Sequence, residues 1–148
     1  MRKVIDNDWL TLFSRLVIAG MFAYAAWYKI FDPAAFAKSI WYYHMVPGYA
    51  INLMALVLSW LEMVIAVALV LGFWFRGAAL WSTALLVIFI IALSYTISKG
   101  INIDCGCFQA GGTASHSASE ALWRDVGALV LSIQLMVTKS RRWMIGAR

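Results

Sequence analysis

Charge is scarce in this chain. Only 13% of its 148 residues are charged and 64% are hydrophobic, whereas an ordinary soluble domain is about a quarter charged and about half apolar. With a mean hydropathy of +0.80, that deficit excludes a soluble globular domain and points to a polytopic membrane protein. Cysteine is scarcer still: Cys105 and Cys107 are the only two. A single pair in one loop excludes any relay of electrons through thiols from one face of a membrane to the other. Internal repeats and low-complexity tracts are also missing, and so short a chain leaves no room for a soluble domain beside its apolar runs. The expected organisation is one compact helical unit over residues 1–148.

The apolar runs themselves set the fold class. A span needs roughly 20 apolar residues to cross about 30 Å of hydrocarbon, and four windows qualify: 9–31, 50–75, 78–97 and 121–137. The expectation is all-α, a four-transmembrane-helix bundle in the lipid bilayer. Arg2, Lys3, Arg76, Lys139, Arg141, Arg142 and Arg148 flank one side. Lys29, Lys38, Lys99 and Arg124 flank the other, diluted by Asp32, Asp104, Glu120 and Asp125. The excess of basic residues marks the first side as cytoplasmic. Both termini then face the cytoplasm of a bacterium, and the Cys105 loop faces the periplasm, where disulfides persist. The net charge of +5 is thus a topology signal, and no nucleic-acid partner is expected. Ala23-Tyr24-Ala25 has the spacing of a signal-peptide cleavage site, but the apolar run continues past it to Phe31, so the first helix is expected to be retained.

Between the first two spans, Asp32-Pro33-Ala34-Ala35-Phe36 reads as an N-cap followed by proline in the first helical position. Phe36, Ile40 and Tyr43 follow at helical spacing. This predicts a short amphipathic helix at the outer surface, ending at Pro47-Gly48, with Trp41, Tyr42 and Tyr43 in the interfacial aromatic belt. The turn between the second and third spans is expected at Arg76-Gly77. Ser117 and Glu120 have capping-box spacing at the start of the last span, which places Trp123, Arg124 and Asp125 at the outer interface.

Chemistry is confined to two sets of residues. In Asp104-Cys105-Gly106-Cys107-Phe108, the intervening glycine lets two close sulfurs meet. The small ring they would close departs from relaxed disulfide geometry, which makes it prone to exchange. It would constrain the unfolded chain little, so a structural staple is a poor explanation. The alternatives are an inert surface disulfide or a soft-metal clamp, since two thiolates suit Cu(I) or Hg(II), whereas zinc needs further ligands. His116 can lower a cysteine pKa as an imidazolium, or be a solvated polar residue. Asp104 disfavours the thiolate of Cys105 beside it, which leaves Cys107 as the expected attacking sulfur and Cys105 as the resolving one.

The second set is Arg15, Lys29 and Glu62. A carboxylate near the centre of a span must be protonated, paired or turned to a polar cavity. Arg15 and Lys29 lie 14 residues apart, close to four helical turns, and so share one face of the first span. Both are candidate partners for Glu62, although Lys29 can instead snorkel to the headgroups. Ser59 extends the polar face by one turn. Tyr24 and Tyr28 flank it and can line a ring-shaped ligand or simply pack. A fixed ion pair that serves packing is the competing reading to a cofactor or proton-handling role.

Arg15, the Tyr28-Lys29-Ile30-Phe31-Asp32-Pro33 junction, Phe36-Ala37, Leu61-Glu62 and the Cys-Gly-Cys-Phe loop, in this order, resemble the MauE branch of the DoxX-like membrane proteins. Gln109 departs from the glycine usual there. The resemblance implies a four-helix bundle tied to periplasmic redox, and a role in methylamine utilisation that supports maturation of a disulfide-rich dehydrogenase subunit. The bundle is also similar to quinone-linked disulfide-forming proteins of the DsbB and vitamin K epoxide reductase type, which carry cysteines this chain lacks. The reading that results is a thiol-disulfide oxidoreductase, an enzyme exchanging electrons between Cys105/Cys107 and a soluble periplasmic partner, either thioredoxin-like or a maturation substrate. Electrons then remain in periplasmic exchange or pass to a membrane quinone, a cofactor expected between Tyr24, Tyr28, Lys29 and Glu62. Soft-metal capture or transport at Cys105 and Cys107, and a non-catalytic anchor for a redox complex, are the rivals.

Overall fold

The computed structural model describes residues 7–42, 44–100 and 118–138, which form five helices and no strand. Helix α1, Asp8–Phe31, is capped by Asn7, whose side-chain oxygen accepts the Trp9 amide at 3.1 Å. Helix α2, Pro33–Tyr42, follows after the single residue Asp32. Proline lacks the amide that would continue α1, yet Asp32 bridges the break: its N–H donates to Tyr28 O, and its carbonyl accepts from Phe36 N. Its carboxylate accepts the Ala35 amide at 3.1 Å, capping the new helix.

Helix α3 runs Gly48–Leu71 and helix α4 Phe75–Ser98. The second run therefore stops four residues earlier than its apolar composition predicts. Gly72 takes the left-handed conformation (φ 70°) that ends helices, and Trp74 is also left-handed (φ 49°). The turn is Gly72–Trp74, and the Arg76-Gly77 turn expected from the sequence lies instead in the first turn of α4. The Trp74 ring packs on that turn so closely that a Cβ at Gly77 would come within 3.1 Å of it. Helix α5 is Ala118–Val137.

Helices α1, α3 and α4, 24 residues each, are long and apolar enough to cross a membrane. Their outward faces remain apolar: Trp9 is 78% exposed and Val64 60%, with Phe13, Leu53, Ile88 and Ile91 also exposed. Charged Arg15, Lys29 and Glu62 are instead at most 2% exposed. Apolar outside and charged within is the arrangement a hydrocarbon solvent selects, and it identifies a membrane protein.

α1 packs mainly on α3 and α4 mainly on α5, with lesser α3–α4 and α1–α5 seams. Ala19, Ala66, Ala79 and Ala128 lie in the shared core beside Ile18, Phe22, Leu69, Leu86 and Leu135, and their small side chains allow close approach. A second cluster, Phe36, Ala37 and Ile40 with Ile51 and Ala55, fixes α2 on the N-terminal half of α3. Since Lys29 at the end of α1 pairs with Glu62, α2 takes over along α3 where α1 leaves off.

Candidate functional site

Glu62 lies 14 residues into α3, and Lys29 stands two residues before the end of α1. The lysine Nζ donates to both carboxylate oxygens, at 2.7 and 2.9 Å, with each residue 1% exposed. Lys29 thus turns inward, and does not snorkel. Two aromatic faces cover the ammonium: the Phe36 ring centroid is 4.5 Å away and that of Phe89 5.0 Å. Their negative ring faces replace part of the hydration the cation has lost.

Arg15 is not the partner of Glu62. It reaches the other end of the α3 contact, where its Nε donates to Leu69 O at 3.0 Å and its Nη2 to Val70 O at 3.1 Å, with the guanidinium 5.7 Å from the Phe75 ring centroid. Because Gly72 ends α3, carbonyls in its last turn lack intrahelical donors. Arg15 supplies them, seven residues or more than 10 Å along the helix from Glu62.

The residues that sequence reasoning missed come from α5. Asp125, expected at the outer interface, is 4% exposed. Arg124 donates to its carboxylate at 3.2 and 3.3 Å. Both residues line, with Lys29, Glu62, Phe22, Ala25 and Phe89, a void of about 30 Å³, enough for one water molecule. Two ion pairs from three helices therefore converge on one small space. An acid in the second turn of an expected span resembles an interface residue; the clue was that Asp125, Ser132 and the early α5 positions recur at helical spacing.

Ser59 is buried beside Glu62, and its hydroxyl donates to Ala55 O on its own helix at 2.7 Å. Tyr24 and Tyr28 meet edge to face at 4.8 Å. Tyr24 is 46% exposed, and neither ring is among the residues lining the void. Cys105, Cys107, Asp104 and His116 lie outside the described residues, as do Ser117 and Tyr43. Among the described residues no cluster of three or more His, Cys, Asp and Glu could hold a metal ion.

A separate polar seam joins α5 to its neighbours. Ser132 bonds Ser82 and Thr83 of α4, each at 2.7 Å, while Gln134 accepts from Ser14 of α1 at 2.8 Å and Thr138 pairs with Thr11 at 3.3 Å. It holds α5 in register, with Asp125 facing the Lys29–Glu62 pair.

Comparison with known proteins places this chain in a family. The methylamine utilisation protein MauE from Methylophilus methylotrophus is 30% identical over 110 residues, 74% of this chain and 58% of that protein. The MauE proteins of Paracoccus denitrificans and Methylorubrum extorquens are 35% and 36% identical, over 66% and 69% of this chain and 53% and 55% of their own length. The chain thus spans a little over half the length of these curated relatives. No solved structure matches it. The family model "Methylamine utilisation protein MauE" matches residues 7–138, a stretch holding both ion pairs and the Cys105 segment, and the chain belongs to the MauE family.

Proposed function

We propose that this chain is a thiol-disulfide oxidoreductase of the bacterial cytoplasmic membrane, working through Cys105 and Cys107 on its periplasmic side. The observation that carries the reading is where the buried charges sit relative to the cysteine segment. That segment leaves α4 after Ser98 and returns at Ala118, and Arg124 and Asp125, within two turns of that return, line the void shared with Lys29 and Glu62. The chain's two thiols are therefore tethered to the end of α5 that carries Arg124 and the buried Asp125. In this reading α5 is the fourth span, α2 lies toward the periplasmic side, and the basic flanks are cytoplasmic.

The reaction is exchange with a soluble periplasmic protein. The Cys107 thiolate attacks a partner disulfide, forming a mixed disulfide and expelling one partner thiolate. Cys105 then loses its proton and attacks the Cys107 sulfur, releasing the second partner thiolate. The partner gains two electrons and, after protonation, two hydrogens, while Cys105 and Cys107 become a disulfide. The reverse direction uses the same steps, with the relative reduction potentials deciding which runs. The relatives' names point to methylamine utilisation as the setting, and in this reading the task is maturation of a disulfide-containing protein.

Trapping tests it. Cys105→Ser removes the resolving sulfur, so a covalent complex with a periplasmic thiol protein is expected to accumulate on non-reducing gels, and to exceed that from Cys107→Ser. The opposite order would exchange the two roles. Absence of an adduct from both variants would exclude the exchange reaction.

A further inference from the structure

The void of about 30 Å³ is lined by four charged side chains, Lys29, Glu62, Arg124 and Asp125, beside the apolar Ala25 and Phe89. Two cations and two anions cancel there, so the space favours neither an anion nor a metal cation. A neutral guest with both donors and acceptors suits it, and the volume limits that guest to the size of one water molecule.

The bonding inside each ion pair leaves complementary groups over. An ammonium has three N–H donors, and Lys29 serves the two Glu62 oxygens. The Phe36 and Phe89 rings, with centroids 4.5 and 5.0 Å from Nζ, cover the ammonium. They also line an apolar cavity of about 350 Å³ between α2, α3 and α4, which Lys29 does not line. The rings thus wall the lysine off from that cavity, and its third donor is left with the small void. On α5, both bonds from Arg124 go to the same Asp125 oxygen, Oδ1. Oδ2 keeps its lone pairs, since among the described residues no hydrogen bond reaches it. Asp125 is 4% exposed, so bulk solvent supplies little in compensation. No bond joins Asp125 directly to Lys29 or Glu62.

We propose that this void binds one water molecule, which accepts from the Lys29 ammonium and donates to Asp125 Oδ2, joining the two ion pairs into one network across α1, α3 and α5. Water brings two donors and two acceptor positions to a space where a buried donor and a buried acceptor face each other without touching, and it removes the desolvation penalty of both. The link differs in kind from the hydroxyl seam of α5, since it ties the start of that helix, where the cysteine segment returns, to the charged pair between α1 and α3. It holds whether or not the cysteines exchange disulfides.

Two measurements on the full chain test it. Crystals grown in a lipidic mesophase, at a resolution that shows ordered water, are expected to show one oxygen within about 3.2 Å of both Lys29 Nζ and Asp125 Oδ2. A map that shows other ordered waters but no density between these two atoms would overturn the proposal, as would a peak within reach of only one of them. The second measurement fills the space. Ala25→Val adds two methyl groups to the wall and is expected to expel the water, raising the unfolding constant in nanodiscs about tenfold, or about 1.4 kcal/mol. In the Lys29→Met/Glu62→Gln background no ammonium needs the water, and the same substitution is expected to change the constant by no more than about twofold, a non-additivity typical of groups that share a partner. An equal penalty in both backgrounds would mean simple overpacking, and a gain in stability from Ala25→Val would mean a dry void; either result would refute the bridge. The map of the unaltered chain decides even if a variant fails to fold.

Discussion

A lysine bonded to both oxygens of a glutamate, with each 1% exposed, has lost nearly all its hydration and depends on its partner. Removing one charge leaves the other buried and unpaired, which costs about 3–5 kcal/mol in buried pairs. Glu62→Gln is therefore expected to lower unfolding stability in nanodiscs by about that amount, and Lys29→Met/Glu62→Gln to recover most of the loss, as read from denaturant or thermal midpoints. Where Glu62→Gln protein does fold, loss of turnover at its cysteine pair is the outcome that the proposed exchange function requires if Glu62 handles protons; a folded variant with unchanged exchange would reduce the pair to packing. A pair was legible in the sequence as one option, since a carboxylate in an apolar run must be protonated, paired or turned to a polar cavity. Which cation was not: Arg15 and Lys29 share a face, and only the ending of α3 at Leu71 assigns Arg15 to backbone carbonyls.

At the scale of elements, helix ends decide which residues meet. Gly72 closes α3 in a left-handed conformation (φ 70°), so Gly72→Ala is expected to destabilise the protein by about 1–2 kcal/mol, the penalty of that conformation for a residue with a Cβ. Gly20, mid-helix with open space where a Cβ would stand and nothing within 4 Å of it, is the control: Gly20→Ala is expected to be neutral or to stabilise by up to about 1 kcal/mol. A larger loss at Gly20 than at Gly72 by the same unfolding assay would refute this account. The break at Asp32-Pro33 was readable from proline chemistry alone. The Gly72–Trp74 turn was not, because Phe73, Trp74 and Phe75 continue the apolar run and mask the glycine that stops the helix.

For the whole molecule, the distribution of basic flanks in the sequence predicts an orientation that labelling can check. A membrane-impermeant maleimide added to intact, outer-membrane-permeabilised cells after reduction is expected to modify Cys105 and Cys107; modification only after the inner membrane is opened would invert the orientation. Composition and period alone determined that this is a helical membrane protein, where its long apolar helices run, and that any thiol chemistry resides in one segment, because hydrocarbon accepts only long apolar stretches with internally satisfied backbones. Tertiary structure alone decided that Lys29 rather than Arg15 neutralises Glu62, that Asp125 and Arg124 join them, and that Phe36 and Phe89 separate that cluster from an apolar cavity. Those relations depend on register between helices distant in sequence, set by where each helix stops and by the small residues and hydroxyl bonds at their seams, and no local pattern along the chain encodes a distance across the bundle.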